Sequence, residues 1–120
     1  MKKAELFEFI DSDGKDKNVR CKACAQKCVI SPGGRGLCGV RKNIQGELYS
    51  LTYGRLIAQH IDPIEKKPLF DFLPGSLVYS IGTVGCNYSC MWCQNHDISQ
   101  ISEEKYIVGK EVKPEEVIEE

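Results

Sequence analysis

No stretch of this sequence stays apolar for the roughly 18 residues that a membrane-spanning helix needs, so none is expected to cross a bilayer. No secretory leader is expected either. The only early apolar stretch, in MKKAELFEFID, holds Glu5 and Glu8, which the apolar core of a signal peptide excludes. The thiols are therefore expected in a reducing, cytoplasmic compartment, where disulfides are rare. Net charge is small as well, at −1, but it is unevenly spread. Residues 15 to 42 carry eight cations against Asp16, and residues 103 to 120 carry seven glutamates against Lys105, Lys110 and Lys113. The ordinary reading is two solvated faces; the sharper one is a basic surface for an anionic partner. Aromatics are scarce beside that basic stretch, with only Tyr49 and Tyr53 near it. A base-stacking nucleic-acid surface is therefore not expected.

What the sequence does have is cysteine, seven in 120 residues. They fall into two groups. Cys21, Cys24, Cys28 and Cys38 are spaced Cys-x2-Cys-x3-Cys-x9-Cys, with a glycine-rich SPGGRG loop that lets the backbone fold back and bring Cys38 to the other three. Gly39 would let backbone amides turn toward the Cys38 sulfur. Four thiolates complete a tetrahedral set, which suits structural zinc; a second iron–sulfur cluster fits the same ligands. The other group, Cys86, Cys90 and Cys93, is spaced Cys-x3-Cys-x2-Cys within GTVGCNYSCMWCQN. Two closed four-ligand sites would need eight ligands, so the three-cysteine group is one short. Either a metal position stays open, which is where chemistry happens, or a histidine closes the site. His96 lies three residues past Cys93 and is the candidate; His60 reads as a plain surface or packing residue.

The local pattern places these groups. Residues 1 to 20 hold a short amphipathic piece (Leu6, Phe7, Phe9, Ile10), then a polar turn, SDGKDKN. Residues 44 to 58 read as two short strands around a turn at Gln45-Gly46. Asp62-Pro63-Ile64-Glu65 has the form of a helix start, Asp at the cap and Pro at the first position, ended by Pro68. Ser76 to Val84 reads as a nearly apolar strand covered on both faces, with Gly82 and Gly85 bracketing its end. Its end delivers the three-cysteine loop, where α/β barrels put their active sites. Ile98 to Val108 is mixed, and a helix is expected to begin near Pro114.

The three-cysteine loop, with Trp92 just before its last cysteine, resembles the cluster loop of radical S-adenosylmethionine (SAM) enzymes. With DPIEKKPLFDFLPGSLVYSIGTVGCNYSC and the upstream GLCGVRKN and LYSLTYGR, the stretch from about Cys21 to Ile98 is similar to the AmmeMemoRadiSam-system radical SAM proteins, relatives of the pyruvate formate-lyase activating enzymes. The resemblance implies that Cys86, Cys90 and Cys93 hold a [4Fe–4S] cluster whose fourth iron is open to SAM, with Trp92 against the adenine. It further implies reductive cleavage of SAM to a 5′-deoxyadenosyl radical, hydrogen abstraction from a substrate (in some relatives a glycyl-radical protein), and an electron donor such as flavodoxin or ferredoxin. It carries no role onto Lys66 or Lys67, and Asp71 departs from the group's pattern.

The expected fold class is α+β passing into the start of α/β. Residues 1–75 form a small subdomain around the four-cysteine site. Residues 76–120 supply the first strand, cluster loop and helix start of a radical SAM barrel, a truncated version of the eightfold barrel of about 250 residues. On this expectation the chain corresponds to the N-terminal third of such an enzyme and is inactive alone. The competing expectation is a stand-alone zinc-binding module with a basic face for a partner.

Overall fold

The fold, taken from a computed structural model, is described for residues 1–10 and 15–119. The first half of the SDGKDKN turn lies outside the described residues. Small antiparallel sheets dominate. Strands β1 (Lys2–Lys3), β2 (Phe7–Phe9), β3 (Val19–Cys21), β4 (Val29–Ile30), β5 (Arg41–Ile44) and β6 (Glu47–Ser50) make two three-stranded sheets, ordered β1-β6-β5 and β2-β3-β4. The early amphipathic piece is thus the edge strand β2, with Phe7 and Phe9 meeting edge to face at 5.4 Å. Their shared core is Ala4, Val19, Cys21, Ile30 and Leu48, with Phe7 and Cys28 packed against it.

The β5–β6 hairpin has the expected turn, Gln45 and Gly46 both at positive φ (54° and 94°), as a tight two-residue connection requires. Asn43 fixes it from below. Fully buried, its Nδ2 donates to the carbonyls of Lys17 and Ile30 at 2.8 Å, and its Oδ1 accepts from the Gly46 amide at 2.8 Å. One side chain thus ties a turn to both neighbouring segments.

Strand β7 (Arg55–Leu56) follows, then β8 (Ala58–Pro63), which pairs antiparallel with β9 (Leu77–Gly82) in a two-stranded arm. Here the structure departs from the helix start expected at Asp62. Asp62 and Pro63 end a strand, only a 3-10 turn (Ile64–Lys66) follows, and no side chain caps it. Asp62 Oδ1 instead accepts from Lys66 Nζ at 3.1 Å, and Glu65 Oε1 from the Gly75 amide at 2.7 Å. Pairing with β9 outcompetes the local cap. Nor is β9 covered on both faces, since Leu77 is 70% exposed and Ile81 53%. The projecting arm helps raise the radius of gyration to 16.7 Å, against about 14 Å for a compact chain of this length.

After β9 the chain returns to a second core, Leu51, Val84 and Ile107, flanked by Val40, Ile57, Ile98 and Ile101. A one-turn helix α1 (His96–Ser99) runs into the start of the segment that reads as mixed. Strand β10 (Lys110–Glu111) pairs with β7, and α2 (Pro114–Glu119) begins at the expected proline. Among the described residues every strand pairing is antiparallel, and no helix is long and apolar enough to cross a membrane.

Candidate metal centres

All seven cysteines are free thiols. Cys21 ends β3 and is buried in the first core, its amide bonded to the Cys28 carbonyl at 2.9 Å. Between them the chain turns at Cys24, whose carbonyl accepts from the Lys27 amide at 3.3 Å. The SPGGRG loop then doubles back, with the Gly33 amide on the Asn43 carbonyl and the Gly36 amide on the Arg41 carbonyl. The result is a cavity of about 460 Å³ whose wall includes Cys21, Cys24, Cys28 and Cys38. Folding therefore brings the four-cysteine set to one place. The Gly39 amide, expected to turn toward the Cys38 sulfur, donates to the Gly36 carbonyl at 2.9 Å.

A fifth thiol lines the same cavity: Cys86. Spacing along the chain separates it from the first group, and only the tertiary fold joins them. Two side chains of the first segment make the join: Gln26 Nε2 donates to the Asn87 carbonyl at 3.0 Å, and Arg35 to the Ser102 carbonyl at 2.7 Å. Gly85 sits at φ +94°, where a Cβ would lie 2.7 Å from Val40 Cγ1 and 2.9 Å from the Cys38 carbonyl oxygen. Only glycine allows the loop to approach the first cysteine segment so closely. Gly82, by contrast, faces only ordinary contact with Ala58.

The rest of the three-cysteine loop is open. Cys90 is exposed and shares a shallow pocket with His96, while Cys93 Sγ lies 3.4 Å from Ser99 Oγ on α1. Trp92 is 83% exposed. Among the described residues no three Cys, His, Asp or Glu side chains converge as ligands of one ion. Ligand sets commonly close only around their metal, whose binding free energy draws the thiolates together. The donors present are seven free thiols, four on one cavity wall and three on an adjoining loop whose first cysteine, Cys86, lines that wall too.

At Cys24 the surroundings favour the thiolate. The Cys24 thiol is held below its ordinary range first by the Gln26 backbone amide, then by the Asn87 side chain, with Lys27's amide and the Arg41 charge adding to it. Arg41 lines the cavity and has no carboxylate partner among the described residues. Much of the remaining basic stretch is matched internally: Arg20 and Lys22 by Glu8, and Lys42 by Glu104 of the acidic segment.

No family model matches the chain, and no solved structure does. It is 44% identical over 119 residues to an uncharacterized protein of Methanocaldococcus jannaschii, a match that takes in 99% of this chain and 34% of the relative. The chain therefore spans about a third of the length of the curated relative it matches.

Proposed function

We propose that this chain is the cluster-binding part of a radical SAM protein, with Cys86, Cys90 and Cys93 holding a [4Fe–4S] cluster that leaves one iron for SAM. The observation that carries the reading is the loop itself: Cys-x3-Cys-x2-Cys with Trp92 before the last cysteine, two residues beyond a buried Val84 that anchors the end of the β9 segment. When bound, such a cluster supplies one electron to cleave SAM into methionine and a 5′-deoxyadenosyl radical that takes hydrogen from a substrate.

The chain's own residues do the holding. Val84 and Gly85 pin the loop to the body, the three thiols are free, and Cys90 and Trp92 face solvent, where a nucleoside can reach them. On this reading Trp92 lies against the adenine. The four-cysteine cavity holds zinc or a second cluster, a flavodoxin or ferredoxin supplies electrons, and the substrate is a protein or other molecule held by further barrel units. β9 is then the first strand of a partial barrel, and the protein works in the cytoplasm. That the matched relative is about three times longer than this chain supports a larger catalytic body.

One observation favours a second reading, a zinc-binding module: His96 lines the same pocket as Cys90 and could close the three-cysteine site. The deciding experiment is anaerobic reconstitution with iron and sulfide, then electron paramagnetic resonance of the reduced protein with and without SAM. A [4Fe–4S]⁺ signal that changes with SAM supports the open iron, and His96→Ala should leave it intact. Two equivalents of zinc with no SAM-sensitive signal would sink the proposal.

A further inference from the structure

Much of the chain's positive charge is neutralised within the fold, and the β1-β6-β5 sheet shows where it is not. Its register lays residues in rows across the three strands. One row is Lys3, Tyr49 and Lys42. There each charge is answered. Lys3 Nζ lies 2.8 Å from Glu47 Oε1, the Tyr49 hydroxyl donates to Glu47 Oε2 at 3.2 Å, and Lys42 pairs with Glu104.

The next row is Lys2, Ser50 and Arg41, and it faces the other side because successive strand residues alternate. Directly opposed residues have Cβ atoms about 4.5–5.5 Å apart, so Ser50 stands between two cations on one face. All three line a hollow of about 260 Å³. Tyr53 lines it too and holds the Lys2 ammonium there, 4.7 Å from its ring centroid. Among the described residues neither Lys2 nor Arg41 has a carboxylate partner, and Glu5, also on the wall, forms an ion pair with neither.

This donor set matches an oxyanion. A guanidinium forks onto two oxygens, while an ammonium and a hydroxyl each donate to another. A phosphate monoester carries about −1.5 to −2 charges at pH 7, which answers both cations; a carboxylate answers one. We propose that Lys2, Ser50 and Arg41 form a binding site for a phosphate group, free or carried as a monoester. The site is independent of the radical SAM reading, so it is tested on the full chain with its thiols reduced and no metal added. Failure of either proposal leaves the other standing.

The experiment follows backbone amide shifts by NMR at constant ionic strength, with inorganic phosphate, glycerol 2-phosphate and acetate as probes. Expected are saturable shifts at Lys2, Ser50 and Arg41, with a dissociation constant on the order of millimolar for phosphate and weaker binding of acetate. Tighter binding of the monoester would name an ester as the ligand class, and equal binding would name phosphate itself. Arg41→Gln should weaken binding about tenfold or more, the worth of a hydrogen bond to a charged group. Lys42→Gln removes the same charge from the opposite face and should change binding by no more than about twofold. Shifts that never saturate, acetate binding as well as phosphate, or equal losses in the two variants would overturn the proposal. If Arg41→Gln does not fold, Ser50→Ala carries the test: binding should weaken severalfold, and unchanged binding overturns the idea.

Discussion

Asn43 and Gly85 show how single positions hold the two cysteine groups in place. Asn43 is 0% exposed, and its three hydrogen bonds reach Lys17, Ile30 and Gly46. Asn43→Ala strands the buried Ile30 carbonyl and Gly46 amide and takes a partner from the part-buried Lys17 carbonyl, and each buried group left unsatisfied costs about 1–3 kcal/mol. Urea denaturation should show a loss of at least about 2 kcal/mol. An unchanged midpoint would mean that water replaces the side chain. Gly85→Ala faces both the strained φ and the clash with Val40. It should cost about 1–3 kcal/mol and loosen the three-cysteine loop first. Cluster occupancy after reconstitution should fall at Cys86, Cys90 and Cys93 while metal at the four-cysteine cavity persists, which metal analysis can check.

At the scale of elements, what was legible depended on whether the deciding contacts were local. The turn at Gln45-Gly46 and the helix at Pro114 are written in adjacent residues, and both form as expected. The cap at Asp62 is written just as clearly, yet it loses to the pairing of β8 with β9 across 15 residues of register, Asp62 opposite Val78, a competitor no local pattern contains. Apolar composition suggested that β9 is covered on both faces, but Leu77 and Ile81 are exposed, and composition does not say what covers a face. Leu77→Ser should therefore change stability by no more than about 0.5 kcal/mol, whereas Leu48→Ala in the first core should cost about 2–5 kcal/mol. Similar losses from the two would mean that the arm packs in solution.

Charge across β2 and β3 makes another element-scale prediction. The Arg20 hydrogen bond, then the Lys22 charge, holds the Glu8 carboxyl below its ordinary 4.5. A carboxyl lowered by folding stabilises the fold above its unfolded value, and that contribution is lost as pH falls through the lower folded value. Stability should therefore decline somewhat below about pH 4.5, and Glu8→Gln should flatten that part of the profile. A profile unchanged by the substitution would show that the exposed pair is screened in solution.

For the whole molecule, the grouping of the cysteines decides the most. Chain order divides them as four and three, a division that rests on spacing alone, and the fold places the first four on one cavity wall. That Cys86 faces the cavity of the other four was not legible, because the Gly85 contact with Cys38 and Val40 spans more than 40 residues. The variants Cys86→Ala and Cys93→Ala therefore ask different questions. If the sets are chemically separate, each should abolish the SAM-responsive signal and leave the metal of the first four in place. If Cys86 takes part in the shared cavity, Cys86→Ala alone should also lower the metal content there, while Cys93→Ala, whose sulfur lies against Ser99, should not. Iron, sulfide and zinc counts on the two variants side by side distinguish these outcomes. Equal loss of both centres in both variants would mean that the division into four and three is wrong and that one site draws on all seven sulfurs.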